Sequence, residues 1–353
     1  MQNETEVTRR LRLDAPIIQG PFGGGLSSVD LAVAVSECGG LGSFGVHHLD
    51  GAGIRDVAGK IRARTRRSFA LNLWIPHQGA DDPQLSEAQW NLALELLKPW
   101  FEELRVPLPE RPARFSPRYD EQVEAVIELQ PPVFSFVFGV PGADVLERCR
   151  RAGIVTIGTA TIPEEAKLLA EAGVDMVVAT GMEAGGHRVS FLREPEDCLT
   201  GTLALVPAVA DTVKIPVIAA GGIVDGRGIA AALKLGAGAA QIGTAFLACE
   251  ESNATSLHRQ MLFSDLARRT SLTRAFTGRL ARSIHNDFID KMKGKEALLP
   301  PYPVHAWLMG RLKEAAVKAQ RWDAMSLWAG QGAGRLKHHK AKDLIQSLEA
   351  AIR

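Results

Sequence analysis

The chain is short of cysteine, of long apolar runs and of any excess charge, and each shortage removes a class of function. Its four cysteines (Cys38, Cys149, Cys198, Cys249) stand far apart, with no C-x-x-C pair. That spacing argues against a disulfide framework and a zinc site, and no metal is expected. It fits a reduced, cytoplasmic protein in which each thiol is an apolar filler. The apolar runs fall well below the ~20 residues that span a bilayer. The opening MQNETEVTRRLRL is polar and holds no apolar signal core. With 41 Lys and Arg against 40 acids, no field favours nucleic acid or an anionic membrane. G-x-x-x-x-G-K-[ST] is missing, so a P-loop is excluded. GRGIAAALKLGAG sets its glycines around and beyond a helix, which is not the dinucleotide order.

What is present is a rhythm. At 353 residues the length suits one large barrel with an insertion, or two domains. Buried-strand patterns are expected at Pro16–Gln19, Leu41–Gly45, Phe69–Trp74, Val133–Phe138, Val155–Thr159, Met176–Thr180, Pro216–Ala220 and Ala239–Gly243. Helical segments lie between them, at Val29–Glu37, Ala52–Ala63, Asp120–Leu129, Asp144–Ala152, Pro163–Ala172, Leu203–Asp211 and Gly228–Leu235. Several of these helices close on glycine just before the next strand, as in AEAGVDMVV and RRAGIVTIG. Eight such units predict an α/β fold, a (β/α)8 TIM barrel over residues 10–250. A Pro-rich insertion carrying Trp90 and Trp100 interrupts it over 76–117 and reads as a helical excursion. Residues 251–335 read as a smaller, mainly helical domain over the barrel mouth. Residues 336–353 read as a final helix packing back on the barrel.

In a parallel barrel, ligands sit at the carboxyl ends of the strands. Four segments fall there. DMVVATGMEAGGHR runs from a buried strand into a Gly-rich loop carrying His187, a group that titrates near neutral pH. QGPFGGG (19–25) permits backbone to fold under a flat ligand. NLW carries Asn72, whose amide can donate and accept. AAGGIVDGRG and QIGT resemble a phosphate site, in which Gly221, Gly222, Gly243 and Thr244 offer backbone donors and a hydroxyl. Taken singly, a Gly pair is usually a turn, and His187 or Asn72 could serve structure alone. Their convergence on one face is harder to explain as turns. His47, His48, His338 and His339 read as solvated, Trp322 and Trp328 as core, and the basic run Arg268–Arg282 as a solvated face.

With those segments in view, the chain resembles the nitronate monooxygenase family, formerly called 2-nitropropane dioxygenases. The likeness spans PIIQGPFGGG, AVSECGGLGSFG, EAGGHR, IPVIAAGGIVDGRGIAAAL, QIGTAFLACEES, TRAFTGRLAR, Tyr302–Pro303–Val304 and LWAGQ. EAGGHR is shared with related flavoproteins, and the tail motifs narrow the family. The resemblance implies a TIM barrel with a lid-like second domain and non-covalent FMN. It places the FMN phosphate on Gly221, Gly222, Gln241, Gly243 and Thr244. It places Asn72 and Gly185 against the cofactor and Gly20, Pro21 and Phe22 against the flavin. His187 is then the base that takes the α-proton of a nitroalkane; nitronates need none. The implied reaction passes one electron from nitronate to flavin, and O2 completes denitrification to a carbonyl compound and nitrite. Small alkyl nitronates and propionate-3-nitronate both fit, and the protein is expected as a monomer or homodimer.

The sequence departs from the family at three places. Thr180 stands where a Gln usually approaches the flavin, Phe22 where Met is usual, and Val189 where Gly is frequent. The insertion is also longer than the family suggests. The alternative implied by EAGGH is an NAD(P)H-dependent flavin reductase of the enoyl-thioester type. A third reading is a flavin-binding module without turnover.

Overall fold

The computed structural model describes residues 4–76, 83 and 85–352. Residues 77–82 and 84 of the expected insertion lie outside the described residues. The barrel strands are β1 (Ile17–Gln19), β2 (Gly42–Gly45), β3 (Phe69–Trp74), β4 (Val133–Val137), β5 (Val155–Ala160), β6 (Met176–Thr180), β8 (Val217–Ala220) and β9 (Ala239–Ile242), with a two-residue β7 (Gly186–His187) between β6 and β8. All eight barrel strands are parallel, in the order β1-β9-β8-β6-β5-β4-β3-β2. A bridge between Ile18 and Leu41 joins the two ends and closes the barrel. Each expected strand is present within a residue or so of its boundary, and the seven expected helices alternate with them.

Side chains alternate in and out along each strand, and this alternation sorts the core. Ala70, Val133, Ile157, Val178, Ile218 and Ala239 pack inside the barrel. Leu71, Phe134, Val177, Ala219 and Ala240 face the helices instead. The helix Glu6–Leu11 plugs the bottom, with Val7 and Leu11 in the inner cluster. Thr5 caps it and bonds the Gly238 carbonyl at 2.7 Å.

Beyond Glu250 the helices Ser256–Leu262, Asp287–Met292 and Val304–Lys318 form a cap. A three-stranded antiparallel sheet accompanies them: β10 (Thr270–Thr273), β11 (Ala281–Ile284) and the strand β7 from the barrel loop. The insertion supplies the helix Glu87–Glu103, closed at its start by a Ser86–Gln89 capping box. Its tryptophans reach the cap: Trp100 lies 4.9 Å from Phe288 and Trp90 lies 6.3 Å from Trp307. The last helix, Ala341–Ala350, buries Leu344, Ile345 and Leu348 in the outer core. Cys149, Cys198 and Cys249 are buried fillers, whereas Cys38 is half-buried. Among the described residues no helix is long and apolar enough to cross a membrane.

Candidate active site

Following the inner register upward from the apolar floor leads straight to the site. Two residues above Ala70 comes Asn72, then Trp74. Above Val133 come Ser135 and Val137, above Ile157 comes Thr159, above Val178 comes Thr180, and above Ala239 comes Gln241. All of these line one cavity of about 470 Å³ between the strand ends and the cap. Every site residue named from the sequence borders it: Gly20, Pro21, Phe22, Asn72, Thr180, Gly185, His187, Gly221, Gly222, Gln241, Gly243 and Thr244. Ser135 and Thr159 stand in none of the sequence motifs, although period-two counting from the floor finds them.

Small contacts hold this rim. Ser27 donates to the Phe22 carbonyl at 2.9 Å and accepts the Phe22 and Gly45 amides, which pins the first loop. Asn72 donates to Ser135 at 3.0 Å, which fixes its amide. Gly221 and Gly222 hold φ of 111° and 70°, a region suited to glycine. Among the described residues no acceptor meets the backbone N–H groups of Gly222, Gly243 and Thr244. These groups border the cavity, and a side chain at 243 would meet only open space. Together they form a set of donors suited to an oxyanion.

The distant motifs meet here. The cap strand β11 pairs Ala281 with His187 and Arg282 with Gly186. Gly185 packs so closely on the LWAGQ turn that a Cβ there would lie 2.6 Å from backbone atoms of Ala329 and Gly330. Gly330 donates to the Thr244 hydroxyl at 2.9 Å, and Gln331 donates to the Glu183 carbonyl at 2.9 Å. Arg188 is fully buried and spans the carbonyls of Gly181 (2.6 Å), Thr180 (3.0 Å) and Cys198 (3.4 Å). Burial first, and Arg282 second, push its guanidinium down to about 10. Val189 is buried, Phe22 borders the cavity, and Thr180 ends β6 at its wall.

His187 stands among rings. Trp74 is 5.0 Å away edge-on, Trp328 5.3 Å, Tyr302 6.3 Å and Phe138 6.4 Å, centroid to centroid. Its Nε2 lies 2.9 Å from the Thr277 hydroxyl. Burial, and then the Arg279 charge, push the imidazole down to about 3, so it is neutral at pH 7. Arg279 itself lies 4.2 Å over Tyr302 and 4.4 Å over Phe138, a cation–π clamp.

The structure corrects several expectations. His47 and His48 are not solvated; both line the cavity, and each has a buried Nδ1 with no partner. His47 stacks on Trp74 at 4.0 Å and 9° because Gly23 leaves room for its ring, and burial lowers its pKa well below the ordinary value. Trp328 packs against the core, as expected, and is also a wall of the cavity. The run Arg268–Arg282 is a solvated face only at its start, where Arg268 and Arg269 are exposed: Arg282 is buried on the Met182 carbonyl, Arg274 pairs with Glu196, and Arg279 is clamped between rings. Lys313 of the cap also faces the cavity, with no ion pair among the described residues, and burial lowers its pKa. No spacing in the sequence marked these residues, because their partners come from remote segments. Among the described residues there is no group of His, Cys, Asp and Glu able to hold a metal.

Known proteins resemble this chain along nearly its whole length. The nitronate monooxygenase family model matches residues 5–350. A probable nitronate monooxygenase of Staphylococcus aureus is 36% identical over 99% of this chain and 97% of its own. The nitroalkane oxidase of Streptomyces ansochromogenes superposes with a TM-score of 0.89 at 38% identity, covering 98% of this chain and 97% of its own. FabK from Thermotoga maritima superposes at 0.74 with 29% identity, covering 99% and 96%. From barrel floor to tail motifs, the chain belongs to the nitronate monooxygenase family.

Proposed function

We propose that the protein is an FMN-dependent nitronate monooxygenase, using O2 to convert alkyl nitronates into carbonyl compounds and nitrite in the cytoplasm. The observation that carries this reading is one cavity in which unpaired backbone donors and an aromatic-walled His187 face the same space. The cradle fits a phosphate monoester: the N–H groups of Gly222, Gly243 and Thr244 would hold it, and no side chain fills the space at Gly243. Gly20, Pro21, Phe22, Asn72, Thr180, Gly185, Gly221 and Gln241 would border the rest of the cofactor. FMN, when bound, supplies electron acceptance and the reaction with O2.

The chain's own residues then bind, orient and exclude water. Trp74, Tyr302 and Trp328 form aromatic walls beside His187 and leave one ring edge open to the cavity. The charges nearest the reaction space are the cations Arg279 and Lys313, which suit an anionic nitronate. His187, neutral at pH 7, offers a lone pair to the α-proton of a neutral nitroalkane. Its low pKa makes that transfer uphill until the nitronate anion forms beside the imidazolium. Pre-formed nitronates avoid this step and should be the better substrates.

The test is aerobic turnover of a small alkyl nitronate by the FMN-loaded protein, read as nitrite. Stoichiometric nitrite, with no NADPH oxidation on an enoyl thioester, supports the proposal. NADPH oxidation without nitrite would move the function to the flavin-reductase class. A flavin bound but inert to both would make the protein a binding module.

A further inference from the structure

His187 can act as a base through only one ring nitrogen at a time, and the structure shows what decides which. Its Nε2 is 2.9 Å from the Thr277 hydroxyl. Thr277 is buried in the tight turn Thr277–Gly278–Arg279, where Gly278 holds φ of 78°. Within that turn the hydroxyl also lies 3.2 Å from the Arg279 carbonyl and 3.3 Å from the Arg279 amide. A hydroxyl has one proton to give and two lone pairs to receive with. One arrangement makes all three contacts at once: the hydroxyl donates to the Arg279 carbonyl and accepts the Arg279 N–H and an Nε2–H. Turning the hydroxyl toward Nε2 forgoes the bond to the carbonyl. The Nδ1 of His187 has no hydrogen bond among the described residues and, unlike those of His47 and His48, is not sealed from solvent. The ring borders the cavity, so Nδ1 is the nitrogen left to meet a substrate.

We infer that Thr277 is a positioning residue that fixes His187 as the Nε2–H tautomer and makes Nδ1 the proton-accepting atom. The inference rests on the role of His187 given under Proposed function. In the step it serves, the α-C–H bond of the nitroalkane breaks and its electron pair moves toward the nitro group, giving the nitronate. The proton forms a new N–H at Nδ1, and the Nε2–H stays on Thr277 throughout. The resulting imidazolium and nitronate balance in charge, and nothing is oxidised. The placement is rigid because β11, which begins two residues beyond the turn, pairs directly with His187.

The experiment reads the tautomer itself. In the full-length protein with 15N-labelled histidine, long-range 1H–15N correlation at neutral pH separates the two ring nitrogens, and His187→Asn assigns the signal. The expected result is Nε2–H in the parent and in Thr277→Ser, and a shift toward Nδ1–H in Thr277→Val. Nδ1–H in the parent, or an unchanged tautomer in Thr277→Val, overturns the inference. Kinetics on the FMN-loaded protein add a second reading. Thr277→Val leaves an unsatisfied buried N–H in the active tautomer, so turnover of a nitroalkane should fall roughly tenfold to a hundredfold. Turnover of the matching pre-formed nitronate should stay within about threefold, since it bypasses the base step. Equal loss on both substrates contradicts the positioning role. If no nitro compound is turned over, the functional reading fails, while the tautomer spectrum still decides the role of Thr277.

Discussion

A methyl group at position 243 should leave the fold intact and disable the cradle. Gly243 sits at φ −96° and ψ −80°, outside the left-handed region that demands glycine. A Cβ there meets no protein atom within 4 Å, and the residue borders the cavity. At such a site Gly→Ala should change stability by less than about 1 kcal/mol, the lower entropy of the unfolded chain offsetting a small backbone and capping cost. The same carbon intrudes between the Gly243 and Thr244 amides and any oxyanion. A hydrogen bond to a charged group is worth about 1.5–3 kcal/mol, so losing one weakens FMN binding roughly tenfold to a hundredfold. Gly221→Ala is the contrasting case. It combines a φ of 111° with a Cβ 2.6 Å from the Thr202 hydroxyl and 3.1 Å from Gly181 backbone. That variant should lose about 1–3 kcal/mol of stability with or without cofactor. The assay is fluorescence titration of apoprotein with FMN, beside thermal melts of both apoproteins. FMN binding by Gly243→Ala equal to the parent's, or an apoprotein that melts well below it, would show that these amides do not hold the phosphate as described.

Three further outcomes follow from the same geometry. His187→Ala should cut activity on neutral nitroalkanes by ~10²–10⁴-fold and spare much of the activity on pre-formed nitronates; comparing kcat/KM on both checks it, and equal loss points to a binding role. His258 and His305 are buried and held down to about 4, chiefly by burial. The unfolded chain takes up protons near the ordinary 6.5 that the native state refuses, so their stability is complete above pH 6.5. It drains away as pH falls toward 4, by up to about 1.4 kcal/mol per pH unit for each histidine; urea unfolding at pH 7 and pH 5 should show it, and identical stabilities would contradict it. Lys313→Met should raise KM for nitronate anions about fivefold or more by removing a cavity-facing charge, and leave KM for neutral nitroalkanes unchanged; initial-rate kinetics on the two protonation states of one substrate decide the point.

Much of the barrel was legible because its strands and helices are local patterns. Met176–Thr180 is uniformly apolar or small, AEAG ends its preceding helix, and the loop glycines mark where backbone turns at the cavity rim. The cofactor-side residues were legible for the same reason, since they stand in sequence where they stand in space. The opposite wall was not. His47 looks like a surface histidine until Trp74 is folded against it, and Arg279 looks like one of several scattered charges until Phe138 and Tyr302 enclose it. Thr277 reaches His187 only because β11 crosses from the cap to pair with β7. That last contact joins residues 90 positions apart, and no local period encodes any of them.

The most direct test of the central claim is the visible spectrum of the FMN-loaded protein mixed with a small alkyl nitronate in the absence of oxygen. The oxidised flavin absorbance should bleach, then return on admission of air with release of nitrite. A flavin that stays oxidised under nitronate, yet bleaches under NADPH, would contradict that claim.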